Sequence, residues 1–359
     1  MTALVTGATG LIGAHIVRAL LAEGQAVRAL VRASSDTSAI AGLPVEIRVG
    51  DVRDRASLEL AAAGCDVVFH AAAHFDYWET TAQELEDTAL AGTDNMLRAA
   101  HAAGVSRVVL TSSSVVGGYS EDGAVLTETA AAPADAAEAP YVASKIAQER
   151  EALALARTLA LDLVVARTTM TVGPFATRLG PSNWVITTYL GDPLKMTYPG
   201  GINIASARRV GHGHLRLARA GARGEAYLLG GENLTWEQVH RLIGELSGAG
   251  GPHLRANHAM CVSAAAFEEL RATVQQRPPA TTRAQAKMVG RYYWYSSGKA
   301  AGLGYEPGGA REALAVAIGW LAASRHVTRE TRIGMRLSRD VVEARSALSA
   351  QEARVRRTA

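Results

Sequence analysis

The sequence is poor in several features, and each shortage excludes a class of protein. Its 359 residues include two cysteines, Cys65 and Cys261, which are too few for a disulfide framework and have no Cys or His nearby at metal-ligand spacing. We therefore expect two buried, inert thiols and no metal. No apolar run approaches the ~20 residues of a membrane-spanning helix, and the N-terminus does not resemble a signal peptide. These shortages predict a cytoplasmic protein that does not act at a membrane.

Lysine is also scarce, with four residues among the 37 basic ones, and the net charge is only +3. The positive charge is concentrated after Ser324, where nine arginines stand against four acidic residues and leave the rest of the chain slightly acidic. Such a tail is better explained by a solvated helix face or a packing helix than by a polyanion site. We expect a small-molecule substrate, no nucleic-acid partner, and a monomer or homodimer.

What the sequence does contain is a steady alternation of short apolar runs and amphipathic runs through its first 167 residues. The helical stretches GAHIVRALLAEG and GTDNMLRAAHAAG both close on glycine, as helices often do. The apolar runs are mostly too continuous for a sheet with one wet face: ALVT, AVRALV, VEIRVG, DVVFHAA, RVVLTSS and LDLVVART. The alternation predicts an α/β fold of the Rossmann type, a doubly wound parallel sheet with helices on both faces.

This rhythm breaks after Gly173. The next thirty or so residues are rich in Gly, Pro and aromatics without a clean period, one helix-strand pair follows in VGHGHLRLARAG and EAYLLG, and the pattern from Leu234 is mostly helical. We predict three parts: a dinucleotide-binding domain of residues 1–172 and about 206–231, a smaller, discontinuous substrate-binding lobe of about 173–205 and 232–324, and a basic C-terminal extension, helical or partly disordered, of 325–359.

A glycine-rich turn, VTGATGLIG, directly follows the first predicted strand and opens the first predicted helix. In this setting one glycine makes the tight turn, one lets the backbone approach a pyrophosphate, and one lets the helix pack on the strand. The helix N-terminus then faces the phosphates. We predict that the turn binds a dinucleotide through the following residues: Gly7, Thr9, Gly10, Leu11, Ile12 and Gly13.

The end of the second strand, VRALVRASS, bears on the type of dinucleotide. An acidic side chain at this point bonds the ribose 2′-hydroxyl of NAD, whereas this sequence offers Arg32 followed by Ser34 and Ser35, which suit a 2′-phosphate. NADP(H) is therefore favoured as the cofactor, with NAD(H) as the alternative. A plain surface arginine is the competing interpretation of Arg32.

Two segments share the spacing Tyr-x-x-x-Lys, YVASK at 141–145 and YSSGK at 295–299. The first lies on a predicted helix that leads into the sixth strand, so Tyr141 and Lys145 share one helix face. The second has no apolar strand before it, and Gly298 weakens a helix there by ~1 kcal/mol. Of the two segments, we predict that only the first supplies a catalytic pair, Tyr141 and Lys145.

Proton transfer to a carbonyl group needs such a pair. A phenol with a pKa near ~10 is mostly protonated at neutral pH, and an adjacent ammonium is expected to lower that pKa by favouring the phenolate. Tyr141 can then give its proton to a ketone oxygen, or take one from an alcohol in the reverse direction. Lys145 can at the same time bond the ribose next to the nicotinamide.

The glycine turn and YVASK together resemble those of the extended short-chain dehydrogenase/reductase superfamily. Four segments are similar to its dihydroflavonol-4-reductase-like group, within the NAD-dependent epimerase/dehydratase family: GATGLIGAHIVRALLAEG, GCDVVFHAAAHFDYW, YLLGGENLTWEQV and AAGLGYEPGGAREALAVAIGWL. The resemblance runs from the start of the chain to about Ala323. It implies an NAD(P)-dependent enzyme that reduces a ketone or aldehyde, often of an aromatic or apolar small molecule.

The resemblance also implies roles for single residues near the cofactor and the reacting carbonyl. The adenine is placed beside Asp51 and Val52, and the cofactor backbone beside residues 71–73: Ala71, Ala72 and Ala73. In the segment VLTSSS the resemblance aligns Ser113 with a serine that helps to hold the developing oxyanion; its neighbours are the alternatives, Ser112 and Ser114. The predicted catalytic set is thus Ser113, Tyr141 and Lys145.

Three positions depart from the pattern of the group. Ala89 stands where its members usually have Asn in N-V-x-G-T, Thr168 replaces a usual Pro after the sixth strand, and Arg209 stands where an Asp is expected. The missing Asn removes a side-chain bond near the active site. We expect its loss to alter the proton relay or the water next to the cofactor, with the catalytic set unchanged.

Aromatic residues are the predicted substrate contacts, because ligands bind at the carboxyl ends of the strands in such sheets. The candidates are Phe75, Tyr77 and Trp78 after the fourth strand, and Trp184 and Tyr189 in the irregular segment. Each of these residue types, taken alone, is found more often in a core than in a pocket. The leading hypothesis is an NADP(H)-dependent carbonyl reductase; the alternatives are a nucleotide-sugar epimerase or dehydratase on the same fold and a non-catalytic dinucleotide-binding protein.

Overall fold

The computed structural model describes residues 1–72, 82–137, 139–276, 279 and 281–357. Its strands, in chain order, are β1 Thr2–Thr6, β2 Ala26–Val31, β3 Val45–Val49, β4 Val67–His70, β5 Arg107–Ser113, β6 Leu163–Thr168, β7 Met170–Val172, β8 Met196–Thr197, β9 Gly201–Ser206, β10 Ala226–Leu229, β11 Glu232–Thr235, β12 Leu254–Arg255 and β13 Tyr292–Tyr293. Its helices are α1 Leu11–Ala22, α2 Arg55–Ala62, α3 Ala82–Ala102, α4 Ala134–Ala137, α5 Pro140–Thr158, α6 Pro181–Gly191, α7 Ala207–Ala220, α8 Trp236–Ser247, α9 His258–Val274, α10 Arg283–Ala286, α11 Gly298–Ala301, α12 Ala310–Ala323, α13 Arg329–Gly334 and α14 Arg339–Arg357. In these ranges no helix combines the length and the apolar character needed to cross a bilayer.

The large sheet has the strand order β10-β6-β5-β4-β1-β2-β3, and every neighbouring pair in it is parallel. The predicted runs AVRALV and RVVLTSS coincide with β2 and β5. The order of the strands reverses on either side of β1, which leaves a crevice between the carboxyl ends of β1 and β4 where such sheets bind ligands. The predicted doubly wound, parallel α/β fold is confirmed.

Both faces of this sheet are buried along β1, β4, β5 and β6, which explains their continuous apolar runs, whereas the edge strand β3 is largely exposed. Successive residues of a strand point to opposite faces. In β1, Val5 belongs to the core shared with α1 and α7, where Ile16 packs. Its neighbour Leu4 belongs to the core shared with α2, α3 and α5, where Leu58 and Met96 pack.

A second, smaller sheet forms around β9. β7 and β13 pair with β9 in parallel, and β11 pairs with it antiparallel. Helices α6, α8 and α12 pack around a third core that includes Ile186, Ile243 and Ile318. The segment 173–205, expected to lack regular structure, thus contains a full helix; α6 carries apolar residues around most of its circumference and therefore shows no amphipathic period. The strands of the large sheet all fall within 1–172 and 206–231, and we keep the division into domains as a proposal.

The basic tail folds back on the body as α13 and α14. Val341 and Val355 are buried, and α14 lies against α12 and α1. Glu352 of α14 accepts two hydrogen bonds from Arg18 of α1, Nε to Oε1 at 2.6 Å and Nη2 to Oε2 at 2.8 Å. The guanidinium carbon of Arg18 also lies 3.6 Å from the ring centroid of Phe175. The tail is therefore a packing helix, one of the two interpretations that its charge allowed.

Replacing Glu352 by alanine is expected to lower the free energy of unfolding by about 3 kcal/mol, because it leaves the nearly buried Arg18 without its carboxylate. Chemical denaturation measures the change. Glu343→Ala is the matched control: this side chain also lies on α14, but both it and its partner Arg339 are largely exposed, so we expect a loss under ~1 kcal/mol. Equal effects of the two substitutions would contradict the importance of the Arg18 pair.

Candidate active site

A cavity of about 1570 Å³ runs along the carboxyl ends of the strands in the large sheet and continues between α6, α8 and α9. The predicted site residues that the structure describes all line it: Gly7, Thr9, Gly10, Leu11, Ile12, Gly13, Arg32, Asp51, Val52, Ala71, Ala72, Ser113, Tyr141, Lys145, Trp184 and Tyr189. The predicted contacts Ala73, Phe75, Tyr77 and Trp78 lie outside the described residues. Among the residues that are described, no three His, Cys, Asp or Glu side chains form a metal-binding group.

The glycine turn between β1 and α1 is held by two close backbone approaches. Gly7 has a φ of +67°, and a Cβ added there would lie 2.5 Å from the carbonyl oxygen of Ala71 at the end of β4. A Cβ on Gly13 would overlap the carbonyl oxygen of Gly7. Gly10 is the N-cap of α1, and no side chain caps that end, which leaves the first N–H groups of the helix for a ligand. The turn therefore fits the pyrophosphate of a dinucleotide.

The part of the cavity next to the ends of β2 and β3 is rich in arginine. Arg32 is exposed at the end of β2, and Arg325, which follows α12, reaches Asp36 at 3.5 Å. Arg53 donates from Nη2 to Asp51 at 2.7 Å, and this bond lowers the pKa of Asp51 to about 2. Both carboxylates in this part of the cavity are thus engaged by arginines. Sequence reasoning missed Arg325, because nothing in its local sequence connects it with β2.

The three serines at the end of β5 have three different partners. They pair as follows: Ser112 Oγ donates to Glu149 Oε2 at 2.6 Å, the Ser113 hydroxyl shares a hydrogen bond with Tyr141, and the Ser114 hydroxyl shares one with Tyr295. Of the three alternatives, Ser113 is the one that the structure brings to Tyr141. The flanking serines join the strand to α5 on one side and to the segment before α11 on the other.

Tyr141 and Lys145 lie on the first two turns of α5, next to Ser113. Lys145 is only 5% exposed, and its burial lowers its pKa to about 8 against the opposing effect of Glu149. Burial also raises the pKa of Tyr141, and the hydrogen bond with Ser113 opposes this shift. The expected lowering of the Tyr141 pKa is therefore wrong. Desolvation outweighs the other effects, and the ammonium of Lys145 is bonded to Gln148 Oε1 at 2.8 Å.

The second Tyr-x-x-x-Lys segment lies elsewhere. The Tyr295 hydroxyl donates to the carbonyl oxygen of Gly118 at 2.6 Å in a buried position. Lys299 donates to Glu225 Oε2 at 2.7 Å at the surface. The two side chains make unrelated contacts, and neither lines the cavity. This placement agrees with the prediction that YSSGK is not a catalytic pair.

A buried ion pair fixes α5 against the sheet directly behind the site. Glu149, 4% exposed, accepts from Nε of Arg167 on β6 at 3.0 Å as well as from Ser112 on β5. Arg167 also donates to the carbonyl oxygen of Glu128 at 2.9 Å. Sequence reasoning missed this pair, although an arginine inside the otherwise apolar run LVVART and a glutamate four residues after Lys145 were signals for it.

The far end of the cavity is lined by aromatic and apolar side chains. Tyr189 is buried, its hydroxyl donates to the carbonyl oxygen of Gly250 at 3.0 Å, and its ring stacks on His240 with the centroids 4.7 Å apart. Trp184 is half-buried in the same wall. Further lining residues were not among the predicted contacts: Tyr198, Trp236, Ala264, Met288, Val289 and Tyr293. Cys65 is buried as expected, but the same expectation is wrong for Cys261, which is partly exposed on the first turn of α9 and lines the cavity.

A profile of the NAD dependent epimerase/dehydratase family matches residues 3–193. The chain belongs to this family. It is accordingly an NAD(P)-dependent enzyme of the extended short-chain dehydrogenase/reductase type, and the resemblance based on the glycine turn, YVASK and the four longer segments is confirmed.

Proteins named for different activities are similar to this chain. It is 32% identical over 321 residues to a protein of Synechocystis sp. named "Putative dihydroflavonol 4-reductase", across 88% of this chain and 93% of that protein. It is 36% identical over 254 residues to sterol demethylase protein B of Methylococcus capsulatus, across 71% and 77% of the two chains. The solved structure of the dTDP-glucose 4,6-dehydratase DesIV from Streptomyces venezuelae, with NAD and TYD bound, matches with a TM-score of 0.71 and 25% identity, across 92% of this chain and 100% of that one.

Gly7→Ala and Gly24→Ala compare two glycines with nearly the same φ, +67° and +69°. Either substitution forces alanine into the left-handed region at a cost of about 1–2 kcal/mol. At Gly24 nothing lies within 4 Å of the added Cβ, whereas at Gly7 it meets the carbonyl group of Ala71. We expect Gly7→Ala to lose about 2 kcal/mol more in the free energy of unfolding, measured by chemical denaturation. Equal losses would show that Ala71 does not constrain the turn.

Proposed function

We propose that the protein is an NADP(H)-dependent oxidoreductase that reduces a ketone or aldehyde of a small, apolar or aromatic metabolite, or oxidises the corresponding alcohol. The observation that carries the proposal is that Tyr141, bonded to Ser113, and the buried Lys145 line the same cavity as the glycine turn. A non-catalytic dinucleotide-binding protein has no need of this arrangement.

The chain's own residues supply the proton and the stabilisation of charge. Bound NADPH would supply the hydride that adds to the carbonyl carbon. Tyr141 would give its hydroxyl proton to the carbonyl oxygen, which completes the alcohol. Because its pKa is raised, Tyr141 keeps that proton at neutral pH and is suited to the reductive direction. Ser113 is in hydrogen-bond contact with Tyr141. Its hydroxyl would donate to the carbonyl oxygen of the substrate as negative charge grows on that oxygen.

Lys145 would act as a positive charge next to Tyr141. Its ammonium has three donors, of which Gln148 accepts one, so that others can bond the nicotinamide ribose. As the proton leaves Tyr141, the ammonium stabilises the phenolate that remains. With a pKa of about 8, Lys145 is mostly charged at neutral pH and loses this charge as the pH rises above that value.

The preference for NADP(H) rests on the charges at the adenosine end. Arg32 lines this end and can make charge-assisted hydrogen bonds to a 2′-phosphate. Arg325 adds a second cation nearby. Asp36 and Asp51, the carboxylates that could bond the 2′-hydroxyl of NAD, are both engaged by arginines. The NAD bound in the DesIV structure keeps NAD(H) as the alternative cofactor.

An apolar substrate is supported by the lobe end of the cavity and by two relatives. Four aromatic or aliphatic side chains line the cavity at the lobe end, from Trp184, Trp236, Met288 and Val289. The names of the Synechocystis and Methylococcus relatives refer to a dihydroflavonol and a sterol, both of which are ring compounds with large apolar surfaces. A ketone on such a ring system suits a cavity of this lining.

A second function has one observation in its favour. Arg178 and Arg271 also line the cavity, and two cations of this kind can bind the diphosphate of a nucleotide sugar. The similarity to DesIV agrees with this alternative. A nucleotide-sugar epimerase or dehydratase would transform its substrate without net consumption of the reduced cofactor, which separates the two functions in one assay.

Tyr141→Phe is expected to lower turnover about 100- to 10,000-fold, because it removes the proton donor while leaving the ring in place. The assay follows the absorbance of NADPH or NADH with aryl ketones, steroid ketones and nucleotide sugars, together with product analysis. Tyr295→Phe is the matched control and should retain turnover within about threefold, since Tyr295 does not line the cavity and its hydroxyl donates to the carbonyl oxygen of Gly118. A fully active Tyr141→Phe protein would refute the assignment, and a changed nucleotide sugar without net loss of cofactor would favour the second function.

Arg32→Ala is expected to weaken NADPH binding about tenfold or more, the worth of a charge-assisted hydrogen bond, and to leave NADH binding nearly unchanged. Fluorescence titration of the reduced nicotinamide measures both dissociation constants. Arg48→Ala, an exposed arginine on β3 outside the cavity, serves as the control. Tighter binding of NADH than NADPH by the unmodified protein would overturn the cofactor assignment.

A further inference from the structure

The buried ammonium of Lys145 has a side-chain acceptor that comes from its own helix. Gln148 follows Lys145 by three residues on α5, so the two side chains lie on one helix face. Its Oε1 accepts from Lys145 Nζ at 2.8 Å, and both side chains are almost completely buried. In such a position an ammonium without an acceptor carries the full cost of its lost hydration. Gln148 therefore supports both the position of Lys145 and its charge.

The other end of the Gln148 amide is held by α3. Nε2 donates to Thr93 Oγ1 at 2.8 Å and lies 3.5 Å from the carbonyl oxygen of Ala89. Ala89 is the position where the resemblance described above leads us to expect Asn, and its methyl side chain carries no amide. Gln148 brings an amide next to the backbone carbonyl of Ala89 from the facing helix. An amide is thus present beside position 89 although residue 89 itself lacks one.

The network continues from Thr93 to the strand end next to the glycine turn. Thr93 Oγ1 lies 3.4 Å from His70 Nε2, and His70 Nδ1 lies 2.8 Å from Thr6 Oγ1. Thr6 Oγ1 also accepts from the backbone N–H of Ala72 at 3.2 Å. Burial and the charge of Lys145 lower the pKa of His70 to about 3, so the imidazole is neutral and one of its nitrogens is an acceptor.

The direction of these bonds follows from chemistry. An ammonium only donates, so Gln148 must turn Oε1 toward Lys145 and Nε2 toward Thr93. Thr93 then accepts from Gln148 and can donate to His70. The amide group of Gln148 does not release a proton near neutral pH, and its nitrogen has no basic lone pair. The network therefore holds Lys145 in place but does not carry protons from it. The role that this geometry supports is positioning.

We propose that Gln148 is the positioning residue of Lys145: it replaces the amide absent at position 89 and holds the ammonium charged and aimed at the nicotinamide ribose. This inference rests on the proposed function, because it assumes that Lys145 contacts a bound dinucleotide. Gln148 itself need not touch either the cofactor or the substrate.

The protonation of Lys145 depends on groups from each element packed around it. Glu149 on α5 favours the charged form, and its own charge is balanced by Arg167 on β6. His70 on β4 is neutral, and Tyr141 one turn earlier on α5 is protonated at neutral pH. On α3 the described neighbours are the uncharged Ala89 and Thr93. Removing Gln148 would therefore take away the uncharged acceptor of the ammonium and make its protonation harder.

The test measures the dissociation constant of NADPH between pH 6 and pH 10 by fluorescence titration, which needs no substrate. In the unmodified protein we expect affinity to fall as the pH rises through the pKa of Lys145, about 8. Gln148→Met keeps the size of the side chain without its hydrogen bonds. It should weaken binding about tenfold at pH 7 and move the midpoint of the pH dependence to lower pH by about one unit.

The double variant Ala89→Asn/Gln148→Ala returns an amide from α3 and should restore the midpoint and most of the affinity. Glu151→Gln, on the exposed side of the same helix, should match the unmodified protein. If Gln148→Met does not fold, Gln148→Asn, which keeps the amide but withdraws it by one methylene group, should shift the midpoint in the same direction.

An unchanged pH profile in Gln148→Met, or in Gln148→Asn where the first does not fold, would overturn the positioning role. A uniform loss of affinity at every pH that the double variant does not restore would overturn it as well, because that pattern is typical of general damage to the fold. Failure of the unmodified protein to bind NADPH or NADH at any pH would instead refute the proposed function, and the role of Gln148 with it.

Discussion

A positive charge buried at the carboxyl end of a parallel sheet is the constraint on which the rest of the site depends. An ammonium in a dry interior costs several kcal/mol unless acceptors and an opposite charge surround it. Lys145 obtains them from Gln148 and from the nearby carboxylate of Glu149, and Arg167 balances that carboxylate. The four elements that supply these groups and their neighbours, β5, β6, α3 and α5, are thereby held in one arrangement.

The reversal of strand order at β1 decides what this charge can act upon. At the crevice, Gly7 after β1 lies so close to Ala71 after β4 that no side chain fits at position 7. Farther along the sheet, α5 presents Tyr141 and Lys145, and Ser113 ends β5 next to Tyr141. The cavity consequently passes from arginines through proton donors to an aromatic wall. The proposed reaction uses that order, since a dinucleotide spans the first two regions and an apolar substrate the last.

The sequence predicts those parts of the arrangement in which the spacing of residues along the chain determines where their side chains lie. AVRALV and RVVLTSS coincide with strands because both of their faces are buried, and Tyr141 and Lys145 fall on one face because residues four apart do so in any helix. The resemblance already favoured Ser113 over Ser112 and Ser114, and the structure adds that Ser113 is the serine in contact with Tyr141. Gln148 and Arg325 could not be found in this way, because their contacts come from α3 and from a segment close to the other end of the chain. The pKa of Tyr141 was mispredicted because desolvation depends on three-dimensional packing.

The bidentate pair between Arg18 and Glu352 bears on the order in which the chain folds during synthesis. The two residues are 334 positions apart in the chain, and synthesis proceeds from the N-terminus. The first strands and α1 can therefore assemble long before α14 exists. Until the final turns of α14 leave the ribosome, the groove on α1 and α12 that this helix covers stays open to water, so this long-range contact forms late in synthesis.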